Sequence, residues 1–150
     1  MDKQESYQLL FAQVRAIVKD ESDPVANMAN VAALIQETFR FWWTGFYRVV
    51  DNQLVLGPFQ GPVACTRIGF GKGVCGTSWK EKRTIVVEDV KQFPGHIACS
   101  SESQSEIVVP LLKGDEVIGV LDIDSEKLAT FDETDKEWLE QIAEVVATVL

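Results

Sequence analysis

Cysteine, histidine and positive charge are all scarce in this chain, and each scarcity removes a class of function. Three cysteines, Cys65, Cys75 and Cys99, leave one over from any internal pairing. No two of them stand as C-x-x-C, which excludes the thioredoxin-type motif and the usual zinc knuckle. A zinc site would need all three thiols plus His96, the only histidine. Their spacings resemble no common zinc ribbon, so no metal and no cofactor is expected. Lys and Arg number 14 against 23 Asp and Glu, a net charge of −9 with a pI near 4.6. Phosphate binding needs a basic face, so nucleic acid is excluded as a partner. The one cationic concentration, Arg67, Lys72, Lys80, Lys82 and Arg83, reads as solvated surface. No apolar run approaches the ~20 residues that span a bilayer. The opening MDKQESYQLL lacks the charged-then-apolar order of a signal peptide. The expectation is a cytoplasmic protein without a membrane partner, its thiols kept reduced.

What is present is ordinary for a globular domain: 150 residues, 46% hydrophobic and 25% charged. Tyr7, Leu10, Phe11, Val14, Ile17 and Val18 recur at helical spacing. Asp23 and Pro24 form an N-cap followed by proline at the first helical position, and the second helix runs through Val25, Met28, Ala32, Ile35 and Phe39. The segment FRFWWTGFYRVVDNQLVLGPF is aromatic and β-branched, with DN as the turn between two strands. The glycine-rich GFGKGVCGTSWKEKR follows as a loop leading into a short helix around Cys75 to Lys82, and TIVVEDV is a further strand. SEIVVPLLKGDEVIGVLDIDS is a hairpin turning at Gly114 and Asp115. An amphipathic helix carrying Trp138, Leu139, Ile142, Val145, Val146 and Val149 on one side closes the chain. The class is α+β: a central, mainly antiparallel sheet with the N- and C-terminal helices on one face. The other face then lies under loops, where a small-molecule pocket fits.

Cys99 stands out by its neighbours. Pro94, Gly95 and His96 precede it, and Ser100, Ser101, Glu102, Ser103, Gln104 and Ser105 follow. That is loop composition, whereas a free cysteine is usually a core residue. The loop feeds into the strand carrying Glu106. On the next strand Asp122 and Asp124 project from one face, since side chains alternate. A turn with an odd number of residues, such as Lys113 to Asp115, pairs Leu112 with Glu116 and sets Glu106 opposite Asp122. Val108, Ile118 and Val120 then make the rest of that face apolar. An even-numbered turn sends Glu106 to the opposite face. Three carboxylates that close raise each other's pKa, so that one holds a proton near neutral pH. A protonated carboxyl donates to a developing oxyanion while ionised neighbours bind an ammonium group.

FWWTGFY, GPVACTRIGFGKGVCGTSW, PGHIACSSESQSEIVVPL and GVLDIDS together resemble the free methionine-(R)-sulfoxide reductases, enzymes of the GAF fold. The resemblance implies that residues 1–150 form a single GAF domain and that the chain reduces free methionine (R)-S-oxide to methionine. It makes Cys99 the attacking thiol, which becomes a sulfenic acid as methionine leaves. Cys65 then condenses with it to a disulfide, Cys75 is an alternative or relay partner, and thioredoxin restores the thiols. Such a disulfide requires Cα atoms within about 7 Å or movement of the loop. By the same resemblance Glu106, Asp122 and Asp124 line the substrate site, with Trp43 and Tyr47 as its aromatic wall, and the protein is a homodimer. Strand alternation puts Trp42 on the side away from Trp43, in the core. His96 has no assigned role and is read as a neighbour of Cys99. The competing reading is a sensory GAF module that binds a small molecule without turning it over; the set of three cysteines argues against it.

Overall fold

The computed structural model describes residues 1–96 and 102–150. Asp2 starts the first helix, α1 (Lys3–Val18), by accepting from the Glu5 backbone N–H while the Glu5 side chain reaches back to the Asp2 N–H. Asp23 and Pro24 open α2 (Pro24–Phe39) as the sequence predicts, with the Asp23 carboxylate accepting from Ala26 N–H at 2.9 Å. Six strands follow: β1 (Trp43–Val50), β2 (Gln53–Gln60), β3 (Arg67–Gly69), β4 (Ile85–Val87), β5 (Ser105–Lys113) and β6 (Glu116–Ser125). Between β3 and β4 lies α3 (Gly73–Glu81), and α4 (Glu133–Ala147) ends the chain. Among the described residues no helix is long and apolar enough to cross a membrane.

The strands form one sheet in the order β3-β2-β1-β6-β5-β4, and every neighbouring pair is antiparallel. The sheet divides two apolar layers. On one face Phe46, Ile107, Val109, Leu111, Leu121 and Ile123 pack against Tyr7, Leu10, Met28, Ile35, Leu139 and Ile142 of α1, α2 and α4. On the other, Tyr47, Leu54, Ile68, Val108 and Val120 pack with Val74 and Cys75 of α3. The terminal helices therefore share a face as expected. The short α3 joins the loops on the opposite one. Strand β3 is an element that the sequence pattern did not announce.

Both hairpin turns obey their local chemistry. Val50 pairs with Gln53, and the intervening Asp51 and Asn52 both have positive φ (50° and 63°), as a type I′ turn requires. Lys113 pairs with Glu116 around Gly114, whose φ is 62°. That is a two-residue turn with glycine first, the position where type II′ turns place it. An even turn on its own would send Glu106 to the helix-covered face. A β-bulge prevents this: Leu112 pairs with Val117 but Leu111 pairs with Gly119, so Ile118 is an extra residue in β6. Beyond the bulge Glu106 pairs with Asp124, and Val108 with Asp122. The expected partner of Glu106, Asp122, is thus corrected by one pleat to Asp124. Ile118, assigned to the pocket face by plain alternation, packs instead against the helix-side core.

Candidate active site

The register places the chemistry-bearing residues in rows across three strands. Trp43 of β1 lies beside Asp124 of β6, which lies beside Glu106 of β5, which in turn lies beside Val87 of β4. The next row on the same face is Gly45, Asp122, Val108 and Ile85. One pleat further come Tyr47 and Val120. Directly opposed side chains in such pairs have Cβ atoms about 5 Å apart, so the three carboxyls meet at one end of the face. Gly45 is what leaves room for this. A Cβ there would fall 2.6 Å from the Trp43 ring and 2.4 Å from Phe59 Cβ. Its absence lets the indole fold over the strand toward Tyr47 (ring centroids 6.0 Å apart) and stack on Phe59 (5.2 Å). The Trp43 Nε1–H donates to the Pro62 carbonyl at 3.0 Å, which fixes the ring edge.

These groups enclose a cavity of about 60 Å³. Trp42, Trp43 and Tyr47 form its aromatic side, and Glu106, Asp122 and Asp124 its acidic side. Val74 and Cys75 of α3, with Lys72, His96 and Ser103, are also part of the lining. The acids are deeply buried: Glu106 and Asp122 are each 6% exposed. Burial pushes the Glu106 carboxyl well above the ordinary range, and the charges of Asp122 and Asp124 push it further. Asp124 is raised by burial and then by Asp122, partly offset by its hydrogen bond from the Ser103 hydroxyl at 3.2 Å. Burial also raises Asp122, although hydrogen bonds from Glu106 and the Cys75 thiol act the other way. Each acid of the cluster therefore gives up its proton at higher pH than an exposed acid would. One oxygen, Asp122 Oδ1, is buried without a hydrogen-bond partner.

The remaining predicted residues surround this centre. The Tyr47 hydroxyl donates to the Cys65 carbonyl at 2.8 Å, and burial followed by the Asp122 charge pushes its pKa up. Cys65 is half-buried and disulfide-bonded. Cys75 is a free, buried thiol, its pKa raised by burial and by the charges of Asp122 and Glu106. Cys99 lies outside the described residues. His96 lines the cavity; burial lowers its pKa and Asp122 opposes that shift. Trp42 corrects the expectation that it belongs to the core behind the sheet: it packs in the same cluster as Trp43. The reason is that β1 begins at Trp43, so strand alternation does not extend to Trp42. Ser103 and Gly45 were not singled out from the sequence. Ser103 is one of several serines in its run, and Gly45 acts through a missing side chain.

The antiparallel sheet with helices on one face and a loop-covered, cavity-bearing opposite face defines a class. The model of the GAF domain matches residues 22–150, and the chain is a member of the GAF domain family. Among its relatives is the free methionine-R-sulfoxide reductase of Escherichia coli, 44% identical over 151 residues, covering 100% of this chain and 92% of that protein. The enzyme of the same name from Saccharomyces cerevisiae is 41% identical, covering 97% of this chain and 86% of the other. The X-ray structure of free methionine-R-sulfoxide reductase from Neisseria meningitidis in complex with its substrate superposes with a TM-score of 0.97 at 52% identity, covering 99% of this chain and 90% of that one. Within the GAF domains, this chain belongs to the family of the free methionine-R-sulfoxide reductases.

Proposed function

We propose that this chain is an oxidoreductase that reduces free methionine (R)-S-oxide to methionine through cysteine redox chemistry. The observation that carries the reading is the trio of buried Glu106 and Asp122 with half-buried Asp124, facing an aromatic wall beside Cys75. The names of its relatives supply the substrate; the trio supplies a reason for the chemistry. A sulfoxide oxygen becomes a good leaving group only when protonated, and a carboxyl kept neutral by burial donates that proton. Glu106 and Asp124, both held well above the ordinary carboxylate range, are the candidate donors. The unpartnered Asp122 Oδ1 suits the substrate's ammonium group. Trp43 and Tyr47 supply the surface against which the S-methyl group packs.

In the proposed sequence the Cys99 thiolate attacks the sulfoxide sulfur as a carboxyl protonates its oxygen. The oxygen then passes to the Cys99 sulfur as a sulfenic acid, and methionine leaves with the sulfur reduced by two electrons. The Cys65 thiol displaces that hydroxyl as water, forming the disulfide, which a dithiol protein of the thioredoxin kind reduces. The disulfide at Cys65 and the free state of Cys75 support Cys65 as the resolving thiol and Cys99 as its partner. Cys75, buried and with a raised pKa, is a poor nucleophile and serves as a secondary partner only after the pocket opens. The protein so read is one GAF domain over 1–150, acts in the cytoplasm and assembles as a homodimer.

The test is methionine production from each sulfoxide epimer with a thiol reductant, for the wild type and Cys99→Ser. Turnover of the R epimer alone, abolished in the variant, is expected. Binding without turnover by reduced protein would return the chain to the sensory reading.

A further inference from the structure

Cys75 has an environment that the proposed reaction does not explain. Its thiol is buried against two carboxyls, and one ligand atom from each of Cys75, Glu106 and Asp122 lies within 4.8 Å of the others. Independently of that grouping, Asp122 Oδ1 is buried with no hydrogen-bond partner, on a residue that lines the cavity. Tetrahedral zinc holds its ligand atoms about 3.5 Å apart, given metal–ligand bonds of about 2.0 to 2.3 Å. The three atoms therefore need to close in by at most about 1.3 Å. A sulfur ligand selects against the hard cations that carboxylates alone would take and favours Zn²⁺ and its chemical neighbours. His96 lines the same cavity and, with water, is available for the fourth position.

We propose that Cys75, Glu106 and Asp122 form a binding site for a thiophilic divalent cation of the Zn²⁺ kind, and that the bound cation blocks the pocket. On binding, the Cys75 thiol and any protonated carboxyl of Glu106 or Asp122 give their protons to solvent as sulfur and carboxylate oxygens bond the metal; no electron is transferred. The blocking half of the proposal rests on the reductase reading, because the cation takes the Asp122 oxygen that the reading offers to the substrate's ammonium group. The binding half does not.

Cobalt(II) added to the reduced Cys65→Ser/Cys99→Ser protein tests it, since Cys75 is then the only thiol. The expected result is a near-ultraviolet thiolate-to-cobalt charge-transfer band saturating at one equivalent. The band is absent when Cys75→Ser is added. Asp122→Asn and Glu106→Gln each weaken binding on the order of tenfold or more, the scale that loss of even a supporting residue produces. Free methionine sulfoxide displaces the metal. Absence of the band, or a cobalt affinity indifferent to both carboxyl substitutions, would overturn the site; metal that sulfoxide does not displace would overturn the block. Sulfoxide turnover by the metal-free wild type is measured separately. A cobalt site without turnover would reject the reductase reading alone, and turnover without a cobalt site would reject this inference alone.

Discussion

Two carboxylate groups, each with buried members, sit at opposite faces of the same sheet, and they are built on different principles. Behind the sheet, Asp135 is 1% exposed and fully partnered. Its Oδ1 accepts from the Tyr7 hydroxyl at 2.5 Å, and its Oδ2 accepts from Lys3 Nζ at 2.7 Å and from the Asp132 N–H at 2.8 Å. Lys3 also reaches Asp132 at 3.2 Å. Burial alone would lower the Lys3 pKa, but the two aspartates outweigh it, and Asp132 is held below the ordinary range with Lys3 as its cation. In the cavity, Glu106, Asp122 and Asp124 face one another, Ser103 and Cys75; among the described residues no ion pair is formed there, and His96 acts on Asp122 only through its charge. In the first group one lysine is shared by two aspartates, and the set joins the N-termini of α1 and α4. The second has no ion pair among the described residues, and its Asp122 Oδ1 has no hydrogen-bond partner. Buried acids without an ion-pair partner cost stability, and such clusters are characteristic of functional sites.

The largest expected effect comes from breaking the second group. Glu106→Gln keeps the shape but cannot hold or pass a proton, so kcat/KM for the R-sulfoxide falls by about 10²-fold or more. Its thermal midpoint stays level or rises. Steady-state kinetics with parallel calorimetry separates the two, and full retained activity would remove Glu106 from the mechanism. The mirror experiment is Asp135→Ala, which strands Tyr7 and Lys3. We expect a loss of about 3 kcal/mol, roughly 10 °C in Tm for a chain of this size, with turnover per folded molecule unchanged. An activity loss larger than the folded fraction explains would tie the two clusters together.

A smaller effect follows at the junction of the cavity with Cys65. Tyr47→Phe removes the donor to the Cys65 carbonyl and costs about 1 kcal/mol, measurable by denaturant unfolding. Smallest is the pH dependence. The three cavity acids have folded pKa values raised above their unfolded ones. Their contribution to stability is therefore fully present below the unfolded carboxylate range, near about 4, and is lost as pH rises through the folded values. Asp132, shifted downward, contributes in the reverse sense. Melting temperatures from about pH 5 to about pH 8 should decline less steeply in Glu106→Gln than in the wild type. Parallel curves would mean that Glu106 carries no retained proton.

Local signals in the sequence carried far. The Asp23–Pro24 start of α2, the Asp51–Asn52 and Gly114–Asp115 turns, and the apolar stripe of α4 each depend on a few adjacent residues, and each lies where those residues put it. What depended on distant partners was harder to read. The three residues of β3 pair with β2 but show no alternating run long enough to announce a strand. The pocket-side position of Trp42 follows from where β1 starts. The membership of the acid cluster was legible from the family motifs, yet the facing of Glu106 was not. Parity counted from the turn gives the wrong face until the bulge at Ile118 is known, and nothing in VIGVL marks which residue is extra. Gly119 is a partial clue, since a Cβ there would meet the Tyr47 carbonyl at 2.5 Å, but a glycine in a strand has several uses.

The bulge also sets a rule for altering this hairpin. Because the turn at Gly114 and Asp115 and the extra residue at Ile118 correct one another, the loop tip and the acid cluster form a single counting system despite the length of strand between them. Inserting one residue at the tip, or deleting Ile118, would turn Glu106 toward α4 while leaving every site residue in the sequence. Doing both would restore it. Chain length at a solvent-exposed turn is thus an inherited constraint of the chemistry, and natural variation there should come in compensated pairs.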